Sequence, residues 1–170
     1  VVESLRRVGI DVAGGVTRGT LPQGTVLLHE HASQPMTEIV RDMMKPSSNM
    51  FAETLLKLLG AEMYGKPGTR EKGVEVLRAW IEVSSPGGCT CHLADGSGLS
   101  PDNRLTSRSL TDLLLSESAG SLAYPDYLAS MPVSGADGTL RRRFKGTHAK
   151  RLVRAKTGRI SLVASLSGIA

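Results

Sequence analysis

Between residues 37 and 83 the chain carries three amphipathic stretches in succession, each closed by residues that break a helix, and this run most limits what it can fold into. Thr37–Met44 ends before Pro46, which disfavours helical backbone in the residue ahead of it. Ser48–Leu59 is expected to end at Gly60. Within it Phe51, Leu55, Leu58 and Leu59 fall on one face, and Ser48 is placed to cap the first turn. Thr69–Val83 ends at Ser84-Ser85-Pro86-Gly87-Gly88. Each stripe needs a partner layer against which to bury its apolar face.

The flanks supply extended runs. Residues 1–9 read as the end of an amphipathic helix, with Val2, Leu5 and Val8 spaced by three and Gly9 as its stop. Asp11–Val16 and Thr25–His31 read as short strands, and so does Cys89–Leu93, which leads into the turn-rich Asp95-Gly96-Ser97-Gly98. Helices follow at Ser107–Ser116 and Tyr124–Met131. Leu152–Lys156 and Leu162–Ala170 then form a β-hairpin turning around Gly158. Helices grouped between strands predict an α+β fold on an antiparallel sheet.

Apolar residues make up 40% of the chain, enough for a core, and no run reaches the ~20 residues of a membrane-spanning helix. The 21 basic side chains exceed the 16 acidic ones, and the excess gathers at Arg141-Arg142-Arg143, Lys145, Lys150, Arg151, Arg154, Lys156 and Arg159. Such a patch draws anions. Aromatics are only 4%, so no base-stacking platform accompanies it, which argues against nucleic acid. Cys89 and Cys91 are too close for an ordinary disulfide and read as small apolar residues. His29-Glu30-His31 offers two imidazoles on one strand face but no third ligand, so no metal is expected. No leader is legible, and the chain opens on Val-Val-Glu-Ser, which leaves room for one upstream.

Two short motifs carry chemistry. Ser47-Ser48-Asn49 stands at a helix entrance, and Lys156-Thr157-Gly158 stands at the end of a predicted strand, 107 positions after Asn49. Singly, the first is a cap and the second a solvated turn. In this order they match the second and third motifs of the serine acyl-transferases that bind β-lactams. The flanking text is more specific. Lys45-Pro46-Ser47-Ser48-Asn49-Met50-Phe51-Ala52-Glu53, Asp95-Gly96-Ser97-Gly98-Leu99-Ser100, Met131-Pro132-Val133-Ser134-Gly135-Ala136-Asp137-Gly138-Thr139-Leu140 and Arg154-Ala155-Lys156-Thr157-Gly158 occur in order. Together they resemble the D-alanyl-D-alanine carboxypeptidase/endopeptidase family, the class C low-molecular-mass penicillin-binding proteins.

The resemblance spans essentially all 170 residues and implies a β-lactamase/transpeptidase-like fold. It implies hydrolysis of D-Ala-D-Ala bonds or peptidoglycan cross-links through an acyl-serine, with a stem peptide or β-lactam as partner and no cofactor. A periplasmic or other extracytoplasmic location follows from it as well. By resemblance Ser47 relays protons at the leaving amine and Asn49 holds the substrate's peptide carbonyl. Lys156 and Thr157 take the terminal carboxylate, Gly158 permits close backbone approach, and the Arg159 N–H is one oxyanion donor.

The chain departs from the family pattern in two ways. Arg159 stands where a small hydroxyl residue is usual. No serine is followed three positions later by lysine; Thr54–Lys57, Thr69–Lys72 and Thr147–Lys150 come nearest. The chain therefore reads as a carboxy-terminal portion of the penicillin-binding domain, with the nucleophile and inserted domains upstream. Alone it is expected to be inactive, and self-association could cover a bare apolar face. Rival readings are a β-lactamase-like hydrolase and a non-catalytic peptidoglycan-binding module. Ser97 is expected to sit in a tight turn rather than on a nucleophile elbow, because position 95 is not glycine.

Overall fold

A computed structural model describes residues 1–85, 88, 89 and 91–170. It divides into two compact units, Val1–Ser33 and Gln34–Ala170. The first holds one short helix, α1 (Val2–Arg7), braced by an exposed Arg7–Glu3 ion pair at 2.9 Å. The expected strands Asp11–Val16 and Thr25–His31 are not formed. A strand exists through its partner's hydrogen bonds, and among the described residues neither run has one. Val16, Val26, Leu27 and Leu28 are accordingly exposed, as are His29 and His31.

The second unit is α+β. Five helices, α2 (Met36–Met44), α3 (Asn49–Tyr64), α4 (Arg70–Ser84), α5 (Ser107–Ser118) and α6 (Tyr124–Ser130), pack with an antiparallel hairpin of β1 (Arg154–Ile160) and β2 (Val163–Ile169). Hydroxyl caps fix three of the helix starts. Ser48 Oγ accepts from Phe51 N, Thr69 Oγ1 from Lys72 N, and Thr106 Oγ1 from Ser109 N.

Gly60 does not end α3, contrary to the sequence reading. The helix runs on to Tyr64 and stops at Gly65, which is left-handed at φ 77°. Gly60 instead lets α3 and α4 touch. A methyl there would come within 2.7 Å of Gly73 N, and one on Gly73 would collide with the Leu56 carbonyl. Leu56 and Ile81 are buried on α3 and α4.

The hairpin turns at Ser161-Leu162 rather than around Gly158, with Ile160 paired to Val163 and Gly158 facing Ser165 inside the ladder. Where Cys89–Leu93 was expected to be a strand, the described residues show a single bridge, His92 to Arg104. Thr90 of that run lies outside the described residues, as do Pro86 and Gly87 of the stop signal after α4. The core near β1 is built from Met131, Leu140 and Ala155, each almost fully buried. The segment before β1 joins it by a Val133–Arg154 bridge and an Ala155 N–H donating to Pro132 O at 3.0 Å.

Candidate active site

The loop between α2 and α3 is held from both ends. Lys45 N donates to Arg41 O, and Ser48 N donates to Met43 O at 2.8 Å. Between them Ser47 adopts φ 62°, a left-handed conformation that costs a non-glycine residue about 1 kcal/mol and survives only where its surroundings impose it. The imposition comes from the segment 131–140. Lys45 Nζ donates to Met131 O and to Asp137 Oδ2, each at 2.7 Å. Thr139 N donates back to Lys45 O at 3.2 Å, and Asp137 Oδ1 accepts from Val133 N at 2.8 Å. Position 138 requires glycine on two counts, a φ of 52° and the pressure a side chain there would put on Lys45 O and Pro132. Burial alone would raise the Asp137 pKa, but the hydrogen bonds from Lys45 and Val133 N, with the nearby cation, hold it below the usual carboxylate value.

The same segment carries β1. Ser134 Oγ donates to Ala149 O and accepts from Val153 N, and Thr157 Oγ1 donates to Thr139 Oγ1 at 2.9 Å. One clamp therefore fixes the Ser47 loop and the Lys156 strand together. The result is a direct contact across 109 residues: Lys156 Nζ donates to Ser47 Oγ at 2.6 Å. It also donates to Thr157 O at 2.6 Å, which leaves one of its three protons for an incoming acceptor. Partial burial pushes the Lys156 pKa down from the usual lysine value. Ser47, accepting from Lys156, keeps its own proton free to donate.

Of the residues singled out in the sequence, Ser47, Lys156 and Thr157 come together along one edge. Asn49 opens α3 two residues further on, with an exposed side chain. Gly158 and Arg159 continue β1 and line a concavity with Thr157. Sequence reasoning quoted Lys45, Asp137 and Thr139 without giving them a task. The available signal was an unpaired lysine and aspartate in two separate motif runs, but their pairing is visible only in three dimensions.

A second network secures the other end of the α3 approach. Glu53 Oε1 accepts from Gly96 N and Ser97 N at 3.1 and 3.0 Å, with Arg70 beside it at 3.4 Å. Burial works to raise the Glu53 pKa, but the Ser97 and Gly96 hydrogen bonds and Arg70 bring it below the usual value. Asp95 accepts from Gly98 N, Ser100 N and Asn103 Nδ2, which makes 95–100 the tight turn read from the sequence. Thr54, in the nearest Ser-x-x-Lys-like pattern on α3, donates to Met50 O and is exposed.

Among the described residues no group of three or more His, Cys, Asp or Glu side chains could hold a metal ion, and no helix is long and apolar enough to cross a membrane. An apolar cavity of about 530 Å³, lined by Met36, Val40, Trp80, Leu110, Leu113 and Tyr127 among others, is touched by none of the site residues.

A serine at a capped helix entrance, set against a lysine on the neighbouring strand edge, is an arrangement of the transpeptidase-like fold. The chain belongs to the D-Ala-D-Ala carboxypeptidase 3 (S13) family, whose model matches residues 1–170. It is 39% identical to a D-alanyl-D-alanine carboxypeptidase of an Actinomadura species, over 98% of this chain and 32% of that protein. It is 29% identical to the D-alanyl-D-alanine carboxypeptidase DacB of Haemophilus influenzae, over 99% of this chain and 35% of the relative. The crystal structure of penicillin binding protein 4 (dacB) from H. influenzae, complexed with a β-lactam, superposes with a TM-score of 0.81 at 28% identity. That match covers 98% of this chain and 39% of the other. The chain spans about a third of the length of the curated relatives it matches.

Proposed function

We propose that this chain is one wall of the active site of a serine-type D-Ala-D-Ala carboxypeptidase/endopeptidase that binds penicillin and acts on peptidoglycan stem peptides outside the cytoplasm. The observation that carries this reading is the 2.6 Å hydrogen bond from Lys156 Nζ to Ser47 Oγ, which joins the two motifs into one edge. On this reading the nucleophile is the serine of a Ser-x-x-Lys segment outside these 170 residues, because none of the serines here has such a lysine.

Each residue then has a task that its chemistry fits. The free proton of Lys156 meets the peptide's terminal carboxylate, and Thr157 joins it by turning its hydroxyl away from Thr139. Ser47 passes a proton toward the leaving amine, with Lys156 setting the orientation of its hydroxyl. The Asn49 amide reads the substrate's peptide carbonyl. The Gly158–Arg159 backbone offers an N–H to the oxyanion, and Gly158 keeps side-chain bulk away from it. The chain by itself is inert toward β-lactams, and in isolation the apolar cavity between α2, α4, α5 and α6 promotes self-association.

The test is D-alanine release from an acylated D-Ala-D-Ala peptide. It uses a polypeptide that carries this chain together with a Ser-x-x-Lys segment, with and without penicillin. Release that penicillin abolishes is expected. A polypeptide with both parts that neither releases D-alanine nor responds to penicillin defeats the reading.

A further inference from the structure

Thr157, but not Lys156, lines a cavity of about 470 Å³ together with Arg143, Gly158, Arg159, Leu162 and Ser165 among others. Among the described residues no acidic side chain lines it. Side chains alternate along a strand, so Thr157 and Arg159 project from the same face of β1. The cavity therefore continues from the hydroxyl that reads a terminal carboxylate toward a guanidinium two residues on. Arg143 reaches the same space from the loop after Leu140. Its guanidinium lies over the Phe144 ring, 5.3 Å from the centroid, a stacking that holds the group while leaving its in-plane N–H donors unused.

Both arginines are exposed, and among the described residues neither joins any of the ion pairs. Arg141, Arg142 and Lys145 surround Arg143 in sequence and add to the positive potential. Two guanidinium groups on one concave wall, free of partners, present planar donor forks suited to a carboxylate.

We propose that Arg143 and Arg159 form an anion subsite for a second carboxylate on the residue that leaves, so that an acidic leaving residue is preferred over a neutral one. The inference rests on the proposed peptidase reading and adds a substrate preference to it. It concerns the Arg159 side chain, whereas the oxyanion task uses only that residue's backbone N–H.

The test compares two acylated peptides, ending in D-Ala-D-Glu and in D-Ala-D-Gln, which differ by one charge at constant shape. The enzyme is the polypeptide joining this chain to a Ser-x-x-Lys segment, in its unsubstituted form and as the Arg143→Gln/Arg159→Gln double variant. Exposed charge-assisted contacts of this kind predict a kcat/KM ratio, acidic over neutral, of about five- to tenfold in the unsubstituted enzyme. That ratio is expected to fall to near one in the double variant and to shrink in high salt. Both peptides cleaved with a ratio near one in the unsubstituted enzyme, or with a ratio the double variant keeps, overturns the subsite and leaves the peptidase reading standing. Neither peptide cleaved by an enzyme that still releases D-alanine from the D-Ala-D-Ala peptide overturns the subsite alone, and cleavage of none of the three overturns the peptidase reading as well.

Discussion

Removing the Asp137 carboxylate tests whether the clamp between the two motifs holds the site together. In Asp137→Ala the Lys45 ammonium, whose side chain is only 19% exposed, loses its 2.7 Å counter-ion and keeps a single carbonyl partner. Val133 N loses its acceptor as well. A hydrogen bond to a charged group is worth about 1.5–3 kcal/mol, and an orphaned backbone donor costs about 1 kcal/mol more. Asp137 itself is 45% exposed, so water recovers part of this. The expected net loss is about 2 kcal/mol, which for a urea m-value of about 2 kcal/mol/M moves the midpoint down by about 1 M. Asp137→Asn, which keeps an acceptor for Val133 N, is expected to lose about half as much. The assay is equilibrium urea unfolding of the chain, followed by circular dichroism, with an NMR titration of the Lys156 side chain as a second readout. Because the clamp sets Ser47 against Lys156, the Lys156 ammonium should titrate differently once the loop relaxes. An Asp137→Ala midpoint within error of the unsubstituted chain, with an unchanged Lys156 titration, would refute the reasoning.

Three further outcomes are expected. Because the Lys156 pKa is lowered in the fold, the unfolded chain binds more protons between the folded value and the ordinary lysine value of about 10.4. Stability should therefore rise with pH through that window, and Lys156→Met should flatten the rise in urea titrations carried up to about pH 10.4. Asp95, Asp137 and Glu53 are lowered, so their contribution is present above about pH 4 and lost as pH falls through their folded values. Glu53→Gln should make the acid limb of the stability profile shallower. Gly73→Ala drives a methyl into the Leu56 carbonyl and should cost about 2–4 kcal/mol, read as a thermal midpoint lowered by roughly 5–10 °C.

Much of this was legible in the sequence where local chemistry decides. Ser48 was placed to cap α3 because a hydroxyl acceptor serves the first turn, and that cap forms, as do those of Thr69 and Thr106 on α4 and α5. Glycine misled the reading twice, at Gly60 and at Gly158. In sequence a missing side chain looks like a chain reversal, whereas here it serves close approach, of α4 to α3 and of Ser165 to β1. The runs 11–16 and 25–31 carry extended-chain propensity, but propensity supplies no ladder partner. At the site the motif residues were visible and their support was not. Lys45 and Asp137 pair across 92 positions, and neither has a local pattern that announces the other.

On the proposed function, these residues form the wall facing a nucleophile that lies elsewhere in the polypeptide. This is tested most directly by incubating a labelled penicillin with two proteins, this chain alone and the polypeptide that adds a Ser-x-x-Lys segment, and mapping any covalent adduct by peptide mass. The account predicts no adduct on the chain alone and one adduct in the longer polypeptide, on the serine of the added segment. An adduct on Ser47, or on any other serine of residues 1–170, would contradict it.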